Sequence, residues 1–200
     1  MLTHRLYPLP CLARILWFAR QIPFASSRET PAEIAARAQE QQFEALFQRF
    51  ERQITAYLYR MTGDPQTAGD LSQETFIRAW QHLPQLRDPA AARAWLYRIA
   101  TNLALRHQQR HHAVPLTTLD DAVPGASDPG RRIVERDRIQ QVLLTLTPKQ
   151  RSVLILHEVH GLSCDEVGHL LHLSRDAVKM ALWRGREQFR KAYLSEGEQI

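Results

Sequence analysis

The sequence has 200 residues, 44% of them hydrophobic and only 8 of them glycine, which suffices for one or two modest cores and not for a large multidomain enzyme. Its formal charge of +5 favours a polyanionic partner, nucleic acid first, although charge bears on association and solubility rather than fold. The 2 cysteines, Cys11 and Cys164, lie far apart and outside any metal-ligand spacing, so no disulfide framework is needed and a reducing cytoplasm is the default compartment.

Residues 1–39 differ from the rest: an apolar, basic beginning with Pro8, Pro10 and Pro23, then a polar stretch with Ser26, Ser27, Arg28 and Pro31. Arg14 and Arg20 interrupt the run Leu12 to Phe24, leaving it too short and too charged to span a bilayer, and no small-residue cleavage site follows. A weakly ordered extension is expected, with a surface-lying amphipathic segment as the sharper alternative. From Gln41, Phe43, Leu46, Phe47, Phe50, Ile54, Tyr57, Leu58 and Met61 recur at three- and four-residue steps until Gly63, which predicts a core helix.

Asp64 followed by Pro65 is a cap and first position for a second helix, which carries Leu71, Phe76, Ala79 and Trp80 inward. Asp70, Gln73 and Glu74 fall together on another side, either a docking edge or a plain exposed one. Asp88-Pro89 starts a third helix by the same rule, burying Leu96, Ile99, Ala100 and Leu103. On its exterior Arg98, Asn102, Arg106 and Arg110 recur every four residues with Trp95 and Tyr97 nearby, so cations, a base-reading amide and stacking surfaces are expected together. Part of that cluster also suits the negative end of the helix dipole.

Between His111 and Arg132 the periodicity vanishes among Pro115, Pro124, Gly125, Ser127, Pro129 and Gly130, which places a flexible linker and a domain boundary there. Ile139, Val142, Leu143 and Leu146 then form an amphipathic helix, and Thr147-Pro148 with Gln150 starts another that carries Val153, Leu154, Leu156 and Val159 to Gly161. Ser163 with Glu166 reads as a capping box, stapled by Leu162 and Val167; Ser174, Leu173 and Val178 repeat half of that design eleven residues on. Two helix starts so spaced predict a helix-turn-helix. In its second helix Val178, Leu182, Gly185 and Phe189 share a packing stripe, while Arg175, Lys179, Trp183, Arg186 and Arg190 share a basic one. A recognition helix reads bases from its N-terminal turns, which assigns Arg175, Asp176, Lys179 and Met180 to base edges and Arg184, Arg186 and Arg190 to phosphates.

His157-Glu158-Val159-His160 has the wrong spacing for a zinc helix, since two ligands on one face need an i, i+4 separation and these stand three apart, and His169 and His172 share the defect. No phosphate-binding glycine loop, nucleophile elbow or Cys–His pair is visible, so no metal, cofactor, small-molecule substrate or enzymatic activity is expected.

Two blocks, DLSQETFIRAW followed by RAWLYRIATNLALRH, and LTPKQRSVLILHEVHGLSCDEVGHLLHLS followed by RDAVKMALWRGR, together resemble a bacterial RNA polymerase sigma factor of the extracytoplasmic-function (ECF) group over about residues 40 to 194. The resemblance implies an all-α protein of two small helical domains joined by a flexible linker: an extension over 1–39, a region 2-like domain over 40–112, a linker over 113–133 and a region 4-like helix-turn-helix domain over 134–195. It implies binding to core RNA polymerase and to promoter DNA, double-stranded and melted, without catalysis of its own. An anti-sigma factor is an implied partner, able to hold a cytoplasmic protein near the inner membrane. Asp70, Gln73 and Glu74 match the edge that in the family docks on the clamp coiled coil of the largest polymerase subunit. Arg93, Trp95, Arg98, Asn102 and Arg106 match the part that melts and reads the −10 element, with a base-receiving pocket expected between the loop Leu86 to Pro89 and the side of Asn102. Arg175, Lys179 and Arg184 fall in the helix that reads the −35 element.

The sequence departs from the family pattern at His172, where glycine is usual, at Met180-Ala181, where a Ser-Arg pair is common, and at Gly69 and Arg106, where acidic residues are frequent. Promoter sequence is therefore not transferable. The reading from a different class is a stand-alone helix-turn-helix regulator, which would need a dimerisation element and a palindromic operator.

Overall fold

The computed structural model describes residues 30–111 and 130–197; the apolar basic beginning and most of the expected linker lie outside the described residues. The chain divides into a unit ending at Gln42 and a compact unit from Phe43 onward. In the first, Thr30 caps a helix start through Glu33, whose carboxylate accepts from the Thr30 N–H at 2.7 Å while the Glu33 N–H donates to the Thr30 hydroxyl. Helix α1 (Pro31–Thr62) therefore begins ten residues before the hydrophobic period does. Residues 31–39, expected to be weakly ordered, are helical, because a cap and a string of good helix formers suffice without an apolar stripe.

In the second unit the described residues form helices joined by short turns and loops, with no strand among them. The α1 stripe Phe50, Ile54, Tyr57, Leu58 and Met61 is buried, and the helix stops at Gly63, whose φ of 79° gives the left-handed conformation that closes a C-terminus. Asp64 accepts from the Gln66 and Thr67 N–H groups at 3.3 and 2.7 Å and opens α2 (Pro65–His82). The face Leu71, Phe76, Ala79 turns inward; Phe43 meets Trp80 and Phe47 meets Phe76 edge-on at 5.2 and 4.8 Å, contacts that add to about 1.5–3 kcal/mol for each large side chain buried. Asp88 caps a short 3-10 turn, Pro89–Ala91, that runs into α3 (Ala92–His111).

The second domain starts with α4 (Gly130–Thr145), at Gly130 and thus inside the stretch expected to be linker. Thr147 and Gln150 form a complete capping box on α5 (Pro148–Leu154). A π-helical turn, Ile155–Val159, follows at once. The extra residue of that turn rotates the stripe, so that Ile155 and Leu156 are buried while Val159, expected in the core, is 52% exposed. The Ser163 capping box opens α6 (Cys164–Leu171), and Leu162 and Val167 are both buried as its staple. After a tight turn, α7 (Arg175–Gly197) completes the helix-turn-helix. The turn is closed by His172 at φ 55° and by a close approach: a Cβ on Gly168 would stand 2.8 Å from the Leu173 carbonyl oxygen.

Candidate nucleic-acid interface

Three surfaces carry the residues singled out by sequence. On α2, Asp70 and Gln73 are exposed and Glu74 half-buried, its carboxylate 2.7 Å from Arg78 Nε. Ile77 extends the same edge and is 40% exposed, an apolar member that composition alone does not flag. An exposed ion pair of this kind is worth well under about 1 kcal/mol, so Glu74 is readily released to another cation.

On α3, Arg93, Arg98, Asn102 and Arg106 are exposed and Trp95 is half-buried. Tyr97, expected with them as a stacking surface, is instead fully buried, because it shares the inward register of Leu96, Ala100 and Ala104. Its ring meets Tyr57 edge-on at 5.4 Å. A cavity of 470 Å³ is walled on one side by Leu86, Trp95 and Arg98 and on the other by Glu166, His169 and Leu170 of α6. The loop from Leu86 thus lines a pocket as expected, whereas Asn102 is not among its lining residues and the second wall comes from the helix-turn-helix.

On α7, Val178, Leu182 and Gly185 are buried and Phe189 half-buried, while Arg175, Asp176, Lys179, Met180, Trp183, Arg184, Arg186 and Arg190 are exposed. The cations are held loosely: Arg175 lies 3.6 Å from Asp165, Lys179 3.9 Å from Asp176, Arg190 2.6 Å from Glu187, and Arg186 pairs with Glu158. Each pair is solvated, so a phosphate can replace the carboxylate at little cost. Trp183, 63% exposed, sits in the middle of that face between Lys179 and Arg186.

Sequence reasoning missed the residues that join the two domains. Arg151, 5% exposed, donates from Nε to the Leu143 carbonyl at 2.7 Å, from Nη2 to those of Leu144 and Leu146 at 2.7 and 3.0 Å, and from Nη1 across the seam to Met61 O. Burial pushes its pKa down to about 10, which leaves it charged. Gln140 Nε2 reaches the Tyr59 and Arg60 carbonyls at 3.3 and 3.4 Å, and Gly63 abuts Leu144. His160 packs its ring 4.7 Å from Tyr97 and 5.7 Å from Tyr57; its carbonyl accepts from Arg93, and its Nδ1 lies 2.7 Å from the Tyr97 hydroxyl. Burial first, then the cations Arg60 and Arg93, lower the His160 pKa to about 4, so the ring is neutral near pH 7. His157 Nδ1 is engaged by the Leu162 carbonyl at 2.8 Å, which accounts for the second histidine of that pair.

A helical domain with an exposed polar edge and a basic face, followed by a basic helix-turn-helix, is the layout of a sigma-70-type factor. Sigma-70 region 2 matches residues 46–113 and Sigma-70, region 4 matches residues 136–189. The ECF RNA polymerase sigma factor SigE of Mycolicibacterium smegmatis is 35% identical over 146 residues, covering 69% of this chain and 56% of the relative. SigW of Bacillus subtilis, also an ECF sigma factor, is 32% identical over 158 residues, covering 71% of this chain and 83% of its own length. The chain belongs to the ECF sigma factor family. It spans about half the length of several curated relatives it matches, SigE among them. Among solved structures, the sigma factor RpoE of Bartonella quintana, in complex with the anti-sigma factor NepR, shares the fold with a TM-score of 0.59 at 19% identity, over 75% of this chain and 95% of that one. Among the described residues no helix is long and apolar enough to cross a membrane.

Proposed function

We propose that this chain is an alternative sigma factor that binds core RNA polymerase and directs it to promoters, where it takes part in DNA melting, while the polymerase performs the chemistry. The observation that carries this reading is the presence on one chain of an exposed acidic-polar edge on α2 and two separate basic faces, on α3 and α7. A stand-alone regulator has no use for the first and binds through one kind of DNA surface. In this reading residues 40–111 carry the polymerase and −10 contacts and residues 130–195 the −35 contacts.

Asp70, Gln73 and Glu74 dock on the polymerase, with Ile77 adding apolar area at the same edge. Arg93, Trp95, Arg98, Asn102 and Arg106 take the melted −10 strand: the cations meet phosphates, Trp95 offers a stacking surface at the cavity mouth, and Asn102 hydrogen-bonds a base. Arg175, Asp176, Lys179 and Met180 face base edges of the −35 element, and Arg184, Arg186 and Arg190 its phosphates. An anti-sigma factor is the regulatory partner, as the RpoE structure contains one for that protein. The protein acts in the cytoplasm, near the inner membrane when such a partner is anchored there.

Core polymerase pull-down with Asp70→Arg/Glu74→Arg tests the docking edge. The double variant should lose polymerase with its melting temperature nearly unchanged, since both sites are surface positions. Retention of polymerase at wild-type level would remove the assignment. Permanganate footprinting of Asn102→Ala complements it: open-complex signal should fall more than closed-complex binding, and equal loss would assign Asn102 to general affinity.

A further inference from the structure

Helix α7 presents an outward face whose middle differs from its edges. At about 100° per residue, Asp176, Met180 and Trp183 follow the midline of that face, while Lys179 and Arg186 stand on one flank and Arg184 on the other. The flanks are cationic and the middle is largely apolar. Met180 is 48% exposed, and Trp183, at 63%, is the most exposed large apolar side chain among the described residues. Packing does not account for that exposure, because the inward stripe of Val178, Leu182 and Gly185 is already buried, with Gly185 against Gln150 and Leu154. Glu187, one turn beyond Trp183, is taken up by Arg190 and Lys191 at 2.6 and 3.5 Å.

Such a face fits the floor of a DNA major groove. The groove, about 12 Å wide, admits one helix with its flanks turned to the two phosphate strands, the sides on which Lys179, Arg186 and Arg184 stand. Met180 and Trp183 then meet the floor. A thioether has no hydrogen-bond donor and is only a weak acceptor, so Met180 gains little from the polar edges of guanine, adenine or cytosine. The apolar group that a base pair presents there is the C5-methyl of thymine. Three residues apart, the two side chains are separated by about 4.5 Å along the helix, close to the rise of about 3.4 Å between base pairs, so they fall over neighbouring steps.

We propose that Met180 and Trp183 read thymine methyl groups in the −35 element, which makes Trp183 a specificity-determining residue alongside the cations of α7. The proposal rests on the sigma activity proposed above and supplies the chemistry of its −35 contact. A methyl group buried against the indole or the thioether is worth about fourfold in affinity. It carries no charge, so its loss leaves the salt dependence of binding unchanged. Loss of a phosphate contact from Arg186 or Arg190 has the opposite signature, weakening all sequences alike and lowering the salt slope.

The test uses the full chain assembled with core polymerase. A duplex library randomised over both promoter elements supplies a selected fragment, and each −35 thymine in it is replaced in turn by deoxyuridine, which removes the C5-methyl and nothing else. In competition gel shifts the wild type should bind the deoxyuridine duplex about fourfold more weakly at one or two adjacent positions, at every salt concentration. Trp183→Ala and Met180→Ala should each bind thymine and deoxyuridine duplexes equally at the position under the lost side chain, with melting temperatures held because both are surface sites. Trp183→Phe, still flat and apolar, should keep most of the discrimination. A selected −35 element without thymine, wild-type indifference to every deoxyuridine, or discrimination retained in Trp183→Ala would overturn the proposal; full affinity in Trp183→Ala would assign the exposed indole to a protein partner instead. Fragments selected no better than by core alone, with no transcripts from them, would overturn the sigma activity itself and the proposal with it.

Discussion

Replacing Arg151 by Met removes a donor to four carbonyls, those of Leu143, Leu144, Leu146 and Met61, while keeping a side chain that can fill most of the space. The Leu143 carbonyl keeps the Leu146 N–H at 3.2 Å and the Met61 carbonyl keeps the Gln108 amide; Leu144 is half-buried and regains water, whereas the carbonyl of buried Leu146 loses its donor. A buried carbonyl left unpaired costs about 1–3 kcal/mol, and removing the guanidinium gives back its desolvation, already visible in a pKa lowered to about 10. The net loss should be about 1–3 kcal/mol, out of the roughly 5–15 kcal/mol that a domain has. With a urea slope near 2 kcal/mol/M, the unfolding midpoint should fall by about 0.5–1.5 M. Arg151→Lys keeps the charge but cannot reach all the carbonyls at once, and should fall between the two. A loss below about 1 kcal/mol for Arg151→Met would show that the carbonyls are satisfied otherwise and that Arg151 does not organise the seam.

Gly63→Ala should destabilise by about 2 kcal/mol, since Gly63 has φ 79° and the new methyl would lie 2.6 Å from Leu144 Cδ1; a drop of about 4–8 °C in melting temperature checks it. His172→Gly should stabilise by about 0.5–1 kcal/mol, as relief of the left-handed strain at φ 55° exceeds glycine's extra freedom in the unfolded chain; a lower melting temperature would contradict this. His160 makes stability depend on acidity with a definite sign. Its folded pKa of about 4 lies below its ordinary 6.5, so the unfolded chain binds more protons between those values, and stability is lost as pH falls from about 6.5 towards 4. In urea melts across that window, His160→Gln should flatten the slope, and an unchanged slope would refute the buried, neutral ring.

The helix starts were legible because caps are local. Asp64, Thr147 and Ser163 each engage backbone within three residues, so a stretch of four or five letters contains the whole interaction. The basic faces of α3 and α7 were legible for a similar reason, since helical period alone decides which side Arg98, Asn102 and Arg106 or Lys179 and Arg186 take. What escaped is long-range. Arg151 and Met61 are 90 residues apart, as the hydrogen bond between them spans, and no local pattern pairs them. The only trace is a cation standing in the inward register of Leu154 and Ile155. Val159 was misplaced because a π-turn breaks the period on which its burial was inferred. Tyr97 was open to correction from the sequence, since Ala100 and Ala104 already mark its side of the helix as packed.

In-vitro transcription with purified core polymerase and a promoter fragment library tests the proposed sigma activity. Defined transcripts are expected only when this chain and core are both present, lost with Asp70→Arg/Glu74→Arg and weakened by Arg175→Ala in a manner that depends on the −35 sequence. A chain that left core transcription unchanged and instead bound a palindromic duplex on its own as a dimer would be a stand-alone regulator and not a sigma factor.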